Sequence, residues 1–271
     1  PSNEPANADD RPVTIPDFAR WKRQNRKIAV LTAYDYTTAR LLDAAGVDAL
    51  LVGDSLGTAV QGWDTTLRVT LDQLVYHAEM VARAARRALV IGDLPFGSYE
   101  GSTEQAIRSA SRYLKETQCQ AVKLEGGRRS AATVAALVDA GIPVMGHVGL
   151  TPQSVRKIGG FKVQRNGDSI LDEARAVADA GAFAVVLECV PGETAAKITE
   201  ALSVPTIGIG AGPNCDGQVL VTPDMLGLIE DFRPKFVRRY AELGAAVRDA
   251  AARYAADVVE GRFPTDQESF H

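Results

Sequence analysis

Short apolar runs alternate with segments of helical spacing along most of the chain. Strands are predicted at residues 27–35 (KIAVLTAYD), 49–55 (ALLVGDS), 88–95 (ALVIGDLP) and 121–127 (AVKLEGG). Further ones follow at 143–149 (PVMGHVG), 182–190 (AFAVVLECV) and 205–211 (PTIGIGA), with a weaker one at 218–221. Helices are predicted between them, over 36–45, 71–87, 103–117, 130–140, 169–180 and 193–201. In the second of these, Leu71, Leu74, Val75, Ala78 and Val81 mark one face. A helix at 15–26, apolar at Ile15, Phe18 and Trp21, precedes the first strand, and a helical pattern runs over 235–260. Strands that are continuously apolar imply a parallel sheet covered on both faces. About eight strand–helix units fit an α/β fold of the (β/α)8, or TIM, barrel type. A doubly wound open sheet is the alternative. Its dinucleotide-binding form expects GxGxxG after the first strand, where this chain reads AYDYTTA. No composition break marks a second domain. The expectation is a disordered lead at 1–12 and a single barrel domain at 13–271 that includes the C-terminal helix.

Composition narrows the classes of function. The 271 residues are 46% hydrophobic and 24% charged, enough for one large core. A formal net charge of -4 gives no basic surface for nucleic acid or an anionic membrane. No apolar run approaches the roughly 20 residues that span a bilayer, and the polar lead PSNEPANADDRP has no signal-peptide core. Cys119, Cys189 and Cys215 lack CxxC or zinc spacing. A reduced, cytoplasmic protein is the expectation.

The strand ends carry the candidate chemistry. In chain order they hold Asp35, Asp54 with Ser55, Asp93, Lys123 with Glu125, His147 and Glu188. A lone Asp at such a place is commonly a helix N-cap. In a barrel, however, all these ends converge on the mouth where active sites lie. Lys123 and Glu125 are two residues apart, so they share one face of their strand. That is either a buried salt bridge or one wall of a catalytic site. Carboxylates gathered this closely repel one another, and Lys123 and His147 supply at most two positive charges. A divalent cation is the expected remainder, with oxygen ligands favouring Mg²⁺ or Mn²⁺ over zinc. His77 falls in a helical pattern as a surface or packing residue and His271 is terminal, so a multi-histidine zinc site is not expected. The glycines at 208–212 (GIGAG) read as a phosphate grip or as a close approach to a flat or acidic ligand. Ser55 has no GxSxG context and Cys189 reads as packing. A Schiff base on Lys123 needs a neutral amine, which a carboxylate two residues away disfavours.

Several longer segments occur in one order: AYDYTTARLLDAAGVDALLVGDSLG, VQGWDTTL, GDLPFGSYE, AVKLEGG, PVMGHVGLTPQS, LECVP and GIGAGPNCDGQVLV. Together they resemble the ketopantoate hydroxymethyltransferase family, from residue 15 to the C-terminal helix. Arg68 stands where that resemblance expects proline, and Arg165 with Asn166 departs from the expected pair after KVQ. The resemblance implies a barrel of the phosphoenolpyruvate/pyruvate type. It implies Mg²⁺-dependent transfer of a hydroxymethyl group from 5,10-methylenetetrahydrofolate to 3-methyl-2-oxobutanoate, giving 2-dehydropantoate for pantothenate biosynthesis. By the same resemblance Asp54 and Asp93 ligate metal, with Glu125 supporting the metal site. Asp54, Ser55, Asp93, Lys123 and His147 bind substrate, and Glu188 is the general base that forms the enolate. A homodecamer is implied as well. A lyase or phosphonomutase of the same superfamily would share the metal site but needs a nucleophilic Cys in a KKCGH-like loop, which this chain lacks. A barrel that only senses a ketoacid would not need Glu188 beside such a site.

Overall fold

The computed structural model describes residues 11–158, 167–231 and 233–270. Residues 1–10 of the lead, Gly159, Gly160, Arg165, Asn166 and His271 lie outside the described residues. The chain falls into two compact units, one up to Val221 and one from Thr222 on.

The first unit is a closed barrel of eight parallel strands. They are β1 (Ile28–Thr32), β2 (Ala49–Val52), β3 (Leu89–Asp93), β4 (Ala121–Glu125), β5 (Val144–Gly149), β6 (Ala184–Glu188), β7 (Thr206–Ile209) and β8 (Gly217–Leu220). Pairing of β1 with β8, Ile28 opposite Gly217, closes the ring and excludes the open sheet. The helices are α1 (Ile15–Arg23), α2 (Tyr36–Ala44), α3 (Leu56–Ala59), α4 (Leu71–Ala84), α5 (Thr103–Glu116), α6 (Ala131–Asp139), α7 (Val155–Ile158), α8 (Gly167–Asp179) and α9 (Gly192–Ala201).

Successive strand residues point to opposite faces, so each apolar strand feeds two separate cores. Val90, Val122, Leu124, Val144, Val185 and Leu187 pack outward with the helices. Ile91, Ala121, Met145, Val186 and Ile207 fill the barrel interior. Helix α1 adds Phe18 and Trp21 to that interior cluster and closes the end where the strands begin. Phe18 stacks edge-on against Phe183, just before β6, at 5.3 Å.

Helix α1 is held by charge as well as by packing. Buried Asp17 accepts from the Thr14 N–H at 2.9 Å and pairs with Arg11 at 2.6 Å and Arg20 at 2.7 Å. The Arg11 guanidinium holds the Asp17 carboxyl well below the usual carboxylate range. A depressed folded-state pKa stabilises above the unfolded value of about 3.9 and is lost as pH falls. Asp17→Asn is therefore expected to cost about 1–3 kcal/mol at pH 7, with the gap narrowing at pH 3 as the unfolded chain takes up the proton. Urea titrations at both pH values check this; an equal gap at both would remove the role assigned to the charge.

Gly92 lets α5 approach β3: a Cβ there would sit 2.3 Å from Tyr113 Cδ1. The Tyr113 hydroxyl donates to the Asp93 carbonyl and fixes the end of that strand. Arg68, the first departure from the expected motif, stacks its guanidinium 3.7 Å over the Trp63 ring.

The second unit holds α10 (Thr222–Met225) and α11 (Leu243–Val259). The helix expected from 235 starts only at Leu243. The N–H groups of Tyr240, Leu243 and Gly244 donate to the carbonyls of Met225, Leu226 and Gly227. Backbone spent on that pairing is not available to an i→i−4 ladder. Among the described residues, no helix is long and apolar enough to cross a membrane.

Candidate active site at the mouth of the barrel

The alternation that sends Val122 and Leu124 outward turns Lys123 and Glu125 inward. Register then sets their neighbours: Lys123 lies beside Asp93, and Glu125 beside His147. Gly149, two residues past His147, pairs with Glu188 on β6. Asp54, Asp93, Lys123, Glu125 and His147 are all 5% exposed or less. The side chain of Glu188 is 17% exposed and lies at the open edge of the group.

Lys123 Nζ lies 2.7 Å from both carboxylate oxygens of Asp93. The Asp54 N–H also donates to Asp93 Oδ2, at 3.1 Å. Burial works against the Lys123 ammonium, but Asp93, Asp54 and Glu125 outweigh it and hold its pKa above the usual range. A lysine kept charged in this way is a poor Schiff-base former. Burial pushes the Asp93 carboxyl up to about 7, against the pull of Lys123 and with the repulsion of Asp54. Burial, then Asp54, raises Glu125 well above its ordinary value.

His147 lies between two carboxylates, Nδ1 3.7 Å from Glu125 Oε1 and Nε2 3.2 Å from Glu188 Oε2. Neither ring nitrogen has hydrogen-bond geometry to a partner, and Glu125 Oε1 is likewise buried without one. Burial lowers the His147 pKa, against the attraction of Glu188.

Three buried carboxylates thus face one ammonium and an imidazole biased to neutrality. The raised pKa values of Asp93 and Glu125 mark negative charge that is poorly compensated there; this, and a buried Glu125 oxygen without a hydrogen-bond partner, suit a small divalent cation with oxygen ligands. Among the described residues no group of three or more His, Cys, Asp or Glu side chains forms a ready-made metal cage.

The other candidates sort by geometry. Ser55 Oγ lies 2.7 Å from the Tyr34 hydroxyl, close behind Asp54 in the chain. Asp35 does not join the cluster: it caps α2, accepting the Thr38 N–H at 2.8 Å. His77 Nδ1 lies 2.6 Å from the Tyr34 carbonyl oxygen. Cys189 has a positive φ of 51° and donates its N–H to Ile209. Burial pushes its thiol up to about 11, so it is not an activated nucleophile. In the GIGAG segment Gly208 makes room for Cys215, and Gly212 turns at φ +77° against Gly192. Two buried residues escaped the sequence reading. Gln153 and Tyr99, in the loops after β5 and β3, are bonded to the cluster. Each falls inside a segment that carries the family resemblance, but neither ends an apolar run.

A closed parallel barrel with buried charge at the carboxyl ends of its strands defines the class. Solved structures of similar fold include a member of the phosphoenolpyruvate mutase/isocitrate lyase superfamily. A phosphonopyruvate hydrolase superposes with a TM-score of 0.64 at 14% identity, covering 94% of this chain and 93% of the other. A 2,3-dimethylmalate lyase of that superfamily gives 0.58 at 20% identity, covering 94% and 91%. At such identities the likeness is one of fold alone.

Sequence relationship is narrower. A model of the ketopantoate hydroxymethyltransferase family matches residues 12–266. The 3-methyl-2-oxobutanoate hydroxymethyltransferase of Trichlorobacter lovleyi is 53% identical over 261 residues, 95% of this chain and 98% of its own length. That of Pelobacter propionicus is 52% identical over 262 residues, 96% and 97% of the two chains. The chain belongs to the ketopantoate hydroxymethyltransferase family and is a transferase.

Proposed function

We propose that this enzyme transfers a hydroxymethyl group from 5,10-methylenetetrahydrofolate to C3 of 3-methyl-2-oxobutanoate, giving 2-dehydropantoate. The C3–H bond breaks and a C–C bond to the folate methylene carbon forms. Water supplies the hydroxyl oxygen, and tetrahydrofolate leaves. The observation that carries this reading is the placing of Glu188. It is the carboxylate of the cluster with solvent access, while Asp54, Asp93 and Glu125 are enclosed. An accessible carboxylate beside a buried charged wall is suited to take a proton from a bound substrate carbon.

Asp54, Asp93 and Glu125 would hold Mg²⁺. Bound there, the ion would polarise the ketoacid and make its C3 proton more acidic. Carboxylate oxygens carry two lone pairs each, so Asp93 retains acceptor capacity beside Lys123. Lys123, held charged, donates toward the substrate oxygens, and Ser55 adds a hydroxyl. His147, backed by Glu125, borders the bound ketoacid and contacts Glu188.

Proton exchange at C3 tests this without folate. The enzyme with Mg²⁺ in D2O is expected to replace the C3 proton of 3-methyl-2-oxobutanoate, read by proton NMR. A ketoacid-sensing barrel, or a lyase of the same fold, would leave that signal intact, and an intact signal would sink the proposal. A homodecamer accords with the exposed apolar side chains of Leu41 and Tyr76 on the barrel helices. Light scattering that returned the mass of one chain would exclude the decamer.

A further inference from the structure

Gln153 sits in the short 3-10 turn after β5 and is 5% exposed. Its backbone N–H donates to Glu125 Oε2 at 3.1 Å. Its side-chain Nε2 donates to Asp54 Oδ2 at 3.0 Å and to the Leu94 carbonyl at 3.0 Å. Both neighbours of Nε2 are pure acceptors, so the amide nitrogen belongs on that side. Oε1 is then left to accept from the Tyr99 hydroxyl at 2.7 Å. The same hydroxyl lies 3.1 Å from the Glu125 carbonyl oxygen, which also accepts from Ser130 Oγ at 3.0 Å. A rotated amide would set Oε1 against the Asp54 carboxylate oxygen and the Leu94 carbonyl oxygen, acceptor against acceptor. One residue therefore engages one oxygen on each of two carboxylates, Asp54 in the loop after β2 and Glu125 at the end of β4. The other oxygen of Glu125 is buried without a hydrogen-bond partner, 3.7 Å from His147 Nδ1.

We infer that Gln153 is the positioning residue of the metal site: it ties Asp54 Oδ2 and Glu125 Oε2 and leaves Oδ1 and Oε1 for a divalent cation, with Tyr99 setting the orientation of its amide. The inference rests on the metal reading given under Proposed function. It adds two residues, 54 positions apart in the chain, that touch neither the reacting carbon nor the ion. Carboxylates anchored through one oxygen lose less freedom when the other binds, so the effect falls on cation affinity.

The test reads Mg²⁺ binding to metal-free, folded protein by calorimetry, without substrate. Gln153→Met keeps the backbone N–H and the length of the side chain but removes the amide. It is expected to weaken Mg²⁺ binding about 10–100-fold. Tyr99→Phe removes only the orienting donor and is expected to weaken binding about 2–10-fold. The double variant should bind no more weakly than Gln153→Met alone, because Tyr99 acts through the amide. Saturating Mg²⁺ should restore C3 exchange in Gln153→Met, a rescue that damage to the fold would not permit. Unchanged affinity in Gln153→Met overturns the inference, whatever happens to its melting temperature. Should that variant fail to fold, Tyr99→Phe decides, and unchanged affinity there overturns it equally. Wild-type protein without Mg²⁺ binding would bring down the metal reading itself, and this inference with it.

Discussion

Glu188→Gln is expected to abolish C3 proton exchange, lowering its rate by about 10²–10⁴-fold, while Mg²⁺ binding survives. The amide keeps the shape of the side chain and removes the group that accepts the proton. Glu188 ends β6, and its backbone carbonyl accepts the Leu150 N–H, so the strand end is held independently of the carboxylate. Its side chain is partly exposed and packs near His147, so the fold tolerates the change. The proposed metal ligands lie on β3, β4 and the loop after β2, on elements other than β6, which carries the altered group. Exchange followed by NMR and Mg²⁺ titration of the same sample separate the two effects. Undiminished exchange in this variant would remove Glu188 as the base. Loss of Mg²⁺ binding along with exchange would make it a metal-site residue instead.

The second large effect is expected at Lys123. Its ammonium and the Asp93 carboxylate are both enclosed and meet at 2.7 Å. Removing one partner of a buried pair leaves an uncompensated charge and costs about 3–5 kcal/mol. Lys123→Met should therefore lower stability by that order and eliminate transfer activity. The deficit should also depend on pH. Without Lys123 the folded state holds Asp93 protonated, whereas the unfolded chain releases that proton near its ordinary value of about 3.9. The folded state then binds more protons, so stability falls as pH rises. Urea denaturation should show a larger deficit at pH 8 than at pH 5. Adding Asp93→Asn removes the orphaned charge and should recover most of the stability but none of the activity. A single variant within about 1 kcal/mol of wild type, or a double variant no better than the single, would contradict the pairing as described.

Much of this protein was legible in its sequence because the relevant signals are local. Strand and helix periods repeat over few residues, so the β/α alternation follows from the chain alone. The rule that neighbours two apart share a face placed Lys123 beside Glu125, and both are enclosed in the barrel. Polar residues at the ends of apolar runs pointed to one mouth, and Asp54, Asp93, His147 and Glu188 do meet there. Where two local rules competed, the sequence left the outcome open. Asp35 and Asp54 both follow an apolar run, yet one caps a helix and the other enters the site.

Contacts between distant segments decided the rest. Closure of the sheet is a pairing of β1 with β8, which no local period encodes. The late start of α11 follows from hydrogen bonds to residues some 15 positions earlier in the chain, such as Tyr240 to Met225. Gln153 reaches Asp54 across 99 residues, and it lies in an irregular turn where neither strand nor helix spacing applies. Patterning determined which side chains are turned inward, since that is a property of each strand's own pleat. Only the folded barrel decided which inward atoms meet, because register and loop path bring them together and both depend on the whole ring.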